Sequence, residues 1–260
     1  MVINNPAARL LSILEKGKEL NPEMNCRKAW CSLLSVGIND KAILMGRLGK
    51  VMSLSTEILA RLENIDGIKV ERYIHWQTPL DSAFSQNNLQ GKWNEFNKFI
   101  DAHVINYLSM TSDLLSLKSP DPTISSASLE SILSNSRSLI EEVKSSEIPP
   151  KIKDFMIKQL YKVCMAVEEY EINGAEAISS AVESAFGYGL LNGEAVELTK
   201  TNSTSKKFWQ QMANIALVVS ISTGVQQLAA PILNLLPEID FSTQDPTVIN
   251  DTESLDRKGA

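Results

Sequence analysis

The chain has little of what most enzymatic chemistry draws on. Its 260 residues include two histidines, His75 and His103, and three cysteines, Cys26, Cys31 and Cys164. Three cysteines make no disulfide framework, which suits a reducing cytoplasm. Cys26 and Cys31 lack the spacing of a zinc knuckle, and no second pair follows. Nucleophilic catalysis or a zinc centre needs a histidine beside a cysteine, serine or carboxylate. His103 instead lies in an amphipathic helical pattern beside Asp101 and Val104, and His75 in the piece Tyr-Ile-His-Trp. Both read as structural. Strand-like alternation is nearly absent, and no repeat of fixed period is visible.

The remaining suggestions of chemistry fail on spacing. Gly46-Arg47-Leu48-Gly49-Lys50 lacks the four-residue gap and the Ser/Thr of a phosphate loop and sits inside a helical pattern. Small residues that let another helix approach are the better reading. Glu141-Glu142 and Glu168-Glu169 with Glu171 cluster carboxylates, but no Glu-x-x-His accompanies them, so they read as solvated helix faces. No catalytic, metal or cofactor-binding residue is assigned, and no cofactor is expected. Net charge is −6, which argues against a general nucleic-acid binder. Residues 1–72 carry eleven Lys/Arg against eight Asp/Glu, a surplus too small to reverse that. Trp30, Trp76, Trp93 and Trp209 are not interleaved with basic residues, so they read as core or interface anchors.

What is present is helix. At 43% hydrophobic the chain can bury a substantial core. The organising stretch is Ile148 to Leu191. Pro149-Pro150 suits a first helical turn, and Ile152, Phe155, Met156, Leu160, Val163, Val167 and Tyr170 then recur at helical spacing. Ile157, Tyr161, Cys164 and Met165 widen that stripe, predicting a helix packed on several sides. Asn173-Gly174 reads as its stop, and a second helix comes next with Ile178, Val182, Ala185 and Phe186. Phe155, Leu160, Val163, Val167 and Phe186 are expected near the centre of the core.

Around this pair the pattern predicts a helix capped by Asn5 with Pro6 in its first turn, a short one over 23–34, and a long one from Asn39 or Asp40 to Asn64. The apolar positions of the long helix include Ile43, Leu44, Leu48, Val51, Met52, Leu54, Ile58 and Leu62. Asp66-Gly67 is a turn, 68–79 a buried loop or short helix, and 80–90 one or two helical turns. Trp93, Phe96, Phe99, Ile100, Val104, Tyr107 and Leu108 predict one long helix to about Leu117. Ser119-Pro120-Asp121-Pro122 breaks it, and a hydrated helix capped by Ser125 or Ser126 comes after. The expected fold is all-α: a multi-helix bundle with a C-terminal amphipathic helix on a hinge. Its parts are a helical body (1–191), a polar hinge (192–204), the C-terminal helix (205–236) and an acidic, disordered tail (237–260).

NPAARLLSIL near the start, Trp30 shortly before Val36-Gly37, and SSEIPP…YKVCMAVEEYEINGAEAISSAVESAFG together resemble a family of bacterial all-helical proteins of unknown function. That family's Ser-x-x-Pro and Tyr-x-x-x-Gly marks fall on Ser146, Pro149, Tyr170 and Gly174. The resemblance implies an all-helical fold and no transferable activity. Such proteins are often encoded on mobile or defence-associated loci, which implies phage defence as a setting.

One segment bears on function. No charged residue occurs between Lys207 and Glu238, thirty positions that begin Phe208-Trp209 after Lys206-Lys207. That length exceeds the roughly twenty residues of a membrane span. A polar stripe, Gln210, Asn214, Thr223, Gln227 and Asn234, runs opposite Ile215, Val218, Val219, Val225, Leu228, Ile232 and Leu235, with Trp209 at the start. Three readings are open: a helix lying on the body or pairing with another copy, a conditional membrane helix in an oligomer, and a permanent tail anchor. The start, MVINNPAARL, does not read as a signal peptide. The favoured expectation is a cytoplasmic, non-enzymatic interaction or regulatory protein that binds a protein partner or its own copies. The alternative is a membrane-disrupting effector at the inner membrane, acting through 208–237.

Overall fold

The computed structural model describes residues 4–121 and 123–223, the last three as helix backbone. Among the described residues the fold is all-helical, with eleven α-helices and no strand. The chain runs α1 (Pro6–Glu19), α2 (Cys26–Leu33), α3 (Lys41–Glu63), a 3-10 turn (Val70–Arg72), α4 (Gln77–Ser85), α5 (Trp93–Asn97) and α6 (Ala102–Lys118). It continues through α7 (Ser126–Ser145), α8 (Pro150–Glu168), α9 (Tyr170–Leu191), α10 (Gly193–Glu197), a second 3-10 turn (Leu198–Lys200) and α11 (Ser203–Thr223).

Local signals set most of these boundaries. The Asn5 carboxamide accepts the Ala8 N–H at 2.9 Å, and Pro6 takes the first turn, where its missing N–H leaves no bond unmade. Ser125 caps α7 by accepting the Ser128 N–H at 3.1 Å. Gly67 turns with φ +80°. The ambiguous piece 68–79 holds the first 3-10 turn and the start of α4, and Trp76 within it is fully buried.

Two expectations about helix length fail. Residues 93–117 form two helices, because Asp101 accepts the Val104 N–H at 2.9 Å and starts a new helix there. Trp93, Phe96, Ile100, Val104 and Leu108 are all buried on either side of this break, so the apolar period runs straight through it. Helix α8 ends a turn before Asn173-Gly174. Glu169 leaves helical geometry (φ −105°, ψ 17°), and Gly174, with φ +65° and ψ −163°, kinks α9 near its start. Helix α8 is packed on two sides. Helices α7 and α9 cover it, but Tyr161 and Met165 are about half exposed.

The core is divided. Helices α1–α6 enclose one cluster built on Trp30, Trp76, Trp93 and Phe96, with Trp30 edge-on to Trp93 at 5.2 Å between ring centroids. Helices α7–α11 enclose another, in which Phe155 stacks on Tyr188 at 3.6 Å. Phe155, Leu160, Val163, Val167 and Phe186 are buried together in this second cluster. Ile172, in the turn before Gly174, belongs to the first. The α8–α9 corner is therefore where the two cores meet.

Gly174 makes that corner feasible. Its φ and ψ lie in a region open essentially to glycine alone, and a Cβ there would overlap the Arg9 guanidinium. Gly174→Ala is expected to cost about 3 kcal/mol in chemical denaturation. Gly187→Ala, where an added Cβ meets nothing within 4 Å, is expected to be neutral or stabilising by up to about 1 kcal/mol.

Candidate functional site

The most elaborate polar structure lies along the seam between the cores. The Glu169 carboxylate, 7% exposed, receives Arg47 Nε at 3.3 Å and Asn173 Nδ2 at 3.1 Å, and it pairs with the Lys50 ammonium. Arg47 also donates to the Leu34 and Ser35 carbonyls at 2.7 and 3.1 Å. Those carbonyls lie at the end of α2, so one guanidinium joins α2, α3 and the α8–α9 corner. Beside it, the Tyr170 hydroxyl accepts from Asn4 Nδ2 at 3.0 Å and from the Ile124 backbone N–H at 2.8 Å. Arg9 reaches Glu57 at 3.0 Å, and Arg61 reaches Glu57 at 3.2 Å and Asp121 at 2.5 Å.

A groove runs along α9, lined in part by members of this network. One section, about 490 Å³, lies between Lys50, Ser53 and Glu57 of α3 and Asn173, Ala177 and Ser180 of α9. It continues past Glu169, Lys162 and Met165 as a section of about 370 Å³. An acid beside a lysine in a concave surface is a geometry that catalysis can use. Here the acid is already committed. Burial pushes the Glu169 carboxyl up, but the Lys50 ammonium and the Arg47 guanidinium outweigh that and hold it below the usual carboxylate range. A carboxylate with its lone pairs occupied and its pKa depressed is a poor general base. Around Glu169 the network joins elements, and its contacts there are structural. The reading of Glu168-Glu169 as a solvated face is thus half right: Glu168 is exposed and Glu169 is buried.

The C-terminal helix residues singled out by sequence fall into three groups. Trp209, Ile215 and Val219 are buried in the second core, together with Phe208, Met212, Ala213 and Ala216, against α7 and α9. Trp209 donates its indole N–H to the Ala195 carbonyl at 3.1 Å, fastening α11 to α10 within residues 192–204. Val218, Gln210 and Asn214 are half-buried. Thr223 is the last residue of α11, and Val225, Gln227, Leu228, Ile232, Asn234 and Leu235 lie outside the described residues. Among the described residues no helix is long and apolar enough to cross a membrane, and no group of three or more His, Cys, Asp or Glu could hold a metal ion.

Sequence reasoning caught the outer face of α3 in part, reading Gly46 and Gly49 as small residues that let another helix approach. Ile43 and Met52, expected on a buried stripe, are 51% and 42% exposed, and Met45 is 55% exposed. Between them Ala42, Gly46, Gly49, Ser53, Thr56 and Ala60 line one exposed stripe, spaced four, three, four, three and four. An added Cβ at Gly46 or Gly49 would meet nothing within 4 Å, so no other helix among the described residues approaches them. Comparison with protein-family models, curated proteins and solved structures gives no match for this chain.

Glu169→Gln leaves buried Arg47 with only the longer contact to the exposed Glu168, at 3.7 Å, as a charge partner, and a loss of about 3 kcal/mol at neutral pH is expected. Because the folded-state pKa of Glu169 is depressed, the wild-type advantage should be complete above about pH 4.3, the ordinary glutamate value. It should shrink as pH falls through the lower folded value. Denaturation of both proteins across an acid pH series measures this difference.

Proposed function

We propose that this chain is a non-enzymatic helical interaction protein that associates with a second copy of itself through α3. The observation that supports this is the uncharged, exposed face of that helix. Two glycines inside an exposed helix destabilise it by about 1 kcal/mol each relative to alanine. Nothing among the described residues offsets that, since Gly46 and Gly49 face open space. A second helix lying close against them would do so, with backbone approach at the glycines and packing by the adaptable Met45 and Met52 side chains.

A second copy suits the face better than an unrelated partner. The spacing of the small residues reads the same in both directions, so an antiparallel twofold pair sets small against small along the whole stripe. A twofold interface must be complementary to itself, and a face without charge meets that condition without like-charge repulsion. One helix face makes a small interface, so association in the micromolar range is expected. Residues 205–236 are the regulatory element in this reading, docked on the body through α11 and carried on 192–204.

Sedimentation and light scattering of the full chain over a concentration series test the proposal. Wild type is expected to pass from monomer to dimer, and Gly49→Lys to stay monomeric with no loss of thermal stability. Gly46→Ala/Gly49→Ala should raise the Tm of the monomer by roughly 4–8 °C. A wild type that stays monomeric up to about 100 μM, a concentration far above a micromolar Kd, would overturn it. So would a dimer indifferent to Gly49→Lys. Wild type that pellets with vesicles would favour the membrane-acting alternative.

A further inference from the structure

The fold brings the chain's only two histidines together. His75 lies between the first 3-10 turn and α4, and His103 lies in the first turn of α6. Their ring centroids are 6.2 Å apart, and both rings contact Tyr107, at 4.7 and 4.6 Å. Both imidazoles are exposed, and neither has a hydrogen-bond partner among the described residues.

The pair is held from below. Thr111, fully buried, shares its hydroxyl proton between the Tyr107 carbonyl at 2.8 Å and the Tyr73 carbonyl at 2.9 Å, and accepts the Trp76 indole N–H at 3.3 Å. Those contacts tie the Tyr73 carbonyl and the Trp76 ring, on either side of His75, to α6. His103 and Tyr107 are one turn apart on the same helix, so Tyr107 packs between the anchored loop and the helix. The separation of the two imidazoles is therefore set by buried contacts and not by surface rotamers alone.

We propose that His75 and His103 form a two-imidazole surface site for a divalent transition-metal ion of the class that prefers nitrogen ligands, such as Ni2+, Cu2+ or Zn2+. An ion held at about 2.0–2.1 Å by one nitrogen of each imidazole places the ring centroids roughly 5–6 Å apart. The observed separation is within a small side-chain rotation of that value. Neutral imidazole is the ligand form, and water completes the coordination of an exposed ion. Asp101, whose carboxylate caps the same turn of α6, adds negative charge beside the site. The ion joins the loop before α4 to α6 only when the chain is folded, so binding raises the unfolding temperature. The proposal is independent of how α3 is used.

The test uses the full chain without a histidine tag, titrated calorimetrically with NiCl2 or ZnCl2 alone and followed by thermal unfolding. One ion per chain is expected in the micromolar range, with a metal-dependent rise in Tm. His75→Gln and His103→Gln should each weaken binding at least tenfold and abolish that rise, while the metal-free Tm stays near wild type. Cu2+ bound to wild type should show coupling to two nitrogens in its paramagnetic resonance spectrum. Binding that survives in the His75→Gln/His103→Gln double variant would place the ion elsewhere, for example on the cysteines, and would overturn the proposal. So would wild-type binding no tighter than millimolar.

Discussion

The arrangement of the molecule depends on one buried carboxylate. Each hydrophobic cluster is a set of interdigitated side chains, and apolar contacts fix the relative placement of two such bodies only weakly, because the hydrophobic effect has no direction. Glu169 supplies direction. It is taken out of water at the α8–α9 corner, and that cost is met only where Arg47, Lys50 and Asn173 converge on it. Arg47 in turn holds the carbonyls that end α2. A rotation of one core against the other would strand both charges. The conformation of Gly174 stems from the same requirement: the chain must turn immediately after Glu169, over the guanidinium that Arg9 extends to Glu57.

What is legible in the sequence is what is decided locally. In starting their helices Asn5, Pro6, Ser125 and Pro150 act on atoms within one helical turn, so their residue types suffice to place them, although the Asn5 amide also donates to the distant Ser112 carbonyl. The tight turn at Gly67 is equally local. The split between α5 and α6 also has a local cause, since Asp101 is a good cap, but the apolar residues stay in phase across it and mask the break. Glu169 is different. In the run Glu168-Glu169-Tyr170-Glu171 nothing distinguishes the buried carboxylate from the exposed ones, because its partner Arg47 lies 122 residues away.

The face of α3 shows a different limit. Period alone separates apolar from polar positions, but on α3 the exposed stripe carries no charge to mark it, and the buried side carries Arg47. Val51 and Leu54 are buried, while Met52 and Ser53 between them are exposed. The sequence therefore marks two candidate buried faces and does not say which the chain itself covers. Glycine is the usable signal. Two glycines at a three-residue interval in a long helix weaken it unless something comes close, and none of the described residues does.

The charge-free stretch after Lys207 takes on a different meaning once part of it is seen packed. Phe208, Trp209, Met212, Ile215 and Val219 are buried in the second core, which gives a sufficient reason for the absence of charge in this half of the stretch. Exposing a large apolar side chain costs about 1.5–3 kcal/mol, so lifting α11 off the body costs on the order of 10 kcal/mol, comparable to the whole stability of a domain. A regulatory release of α11 thus requires a partner that covers the same residues as they leave. For the same reason a chain cut at Ser205 lacks part of its core, and a change in its behaviour would report the loss of that core as readily as the loss of a membrane-seeking or docking segment. Single substitutions at surface positions separate those explanations, because they leave the second core intact.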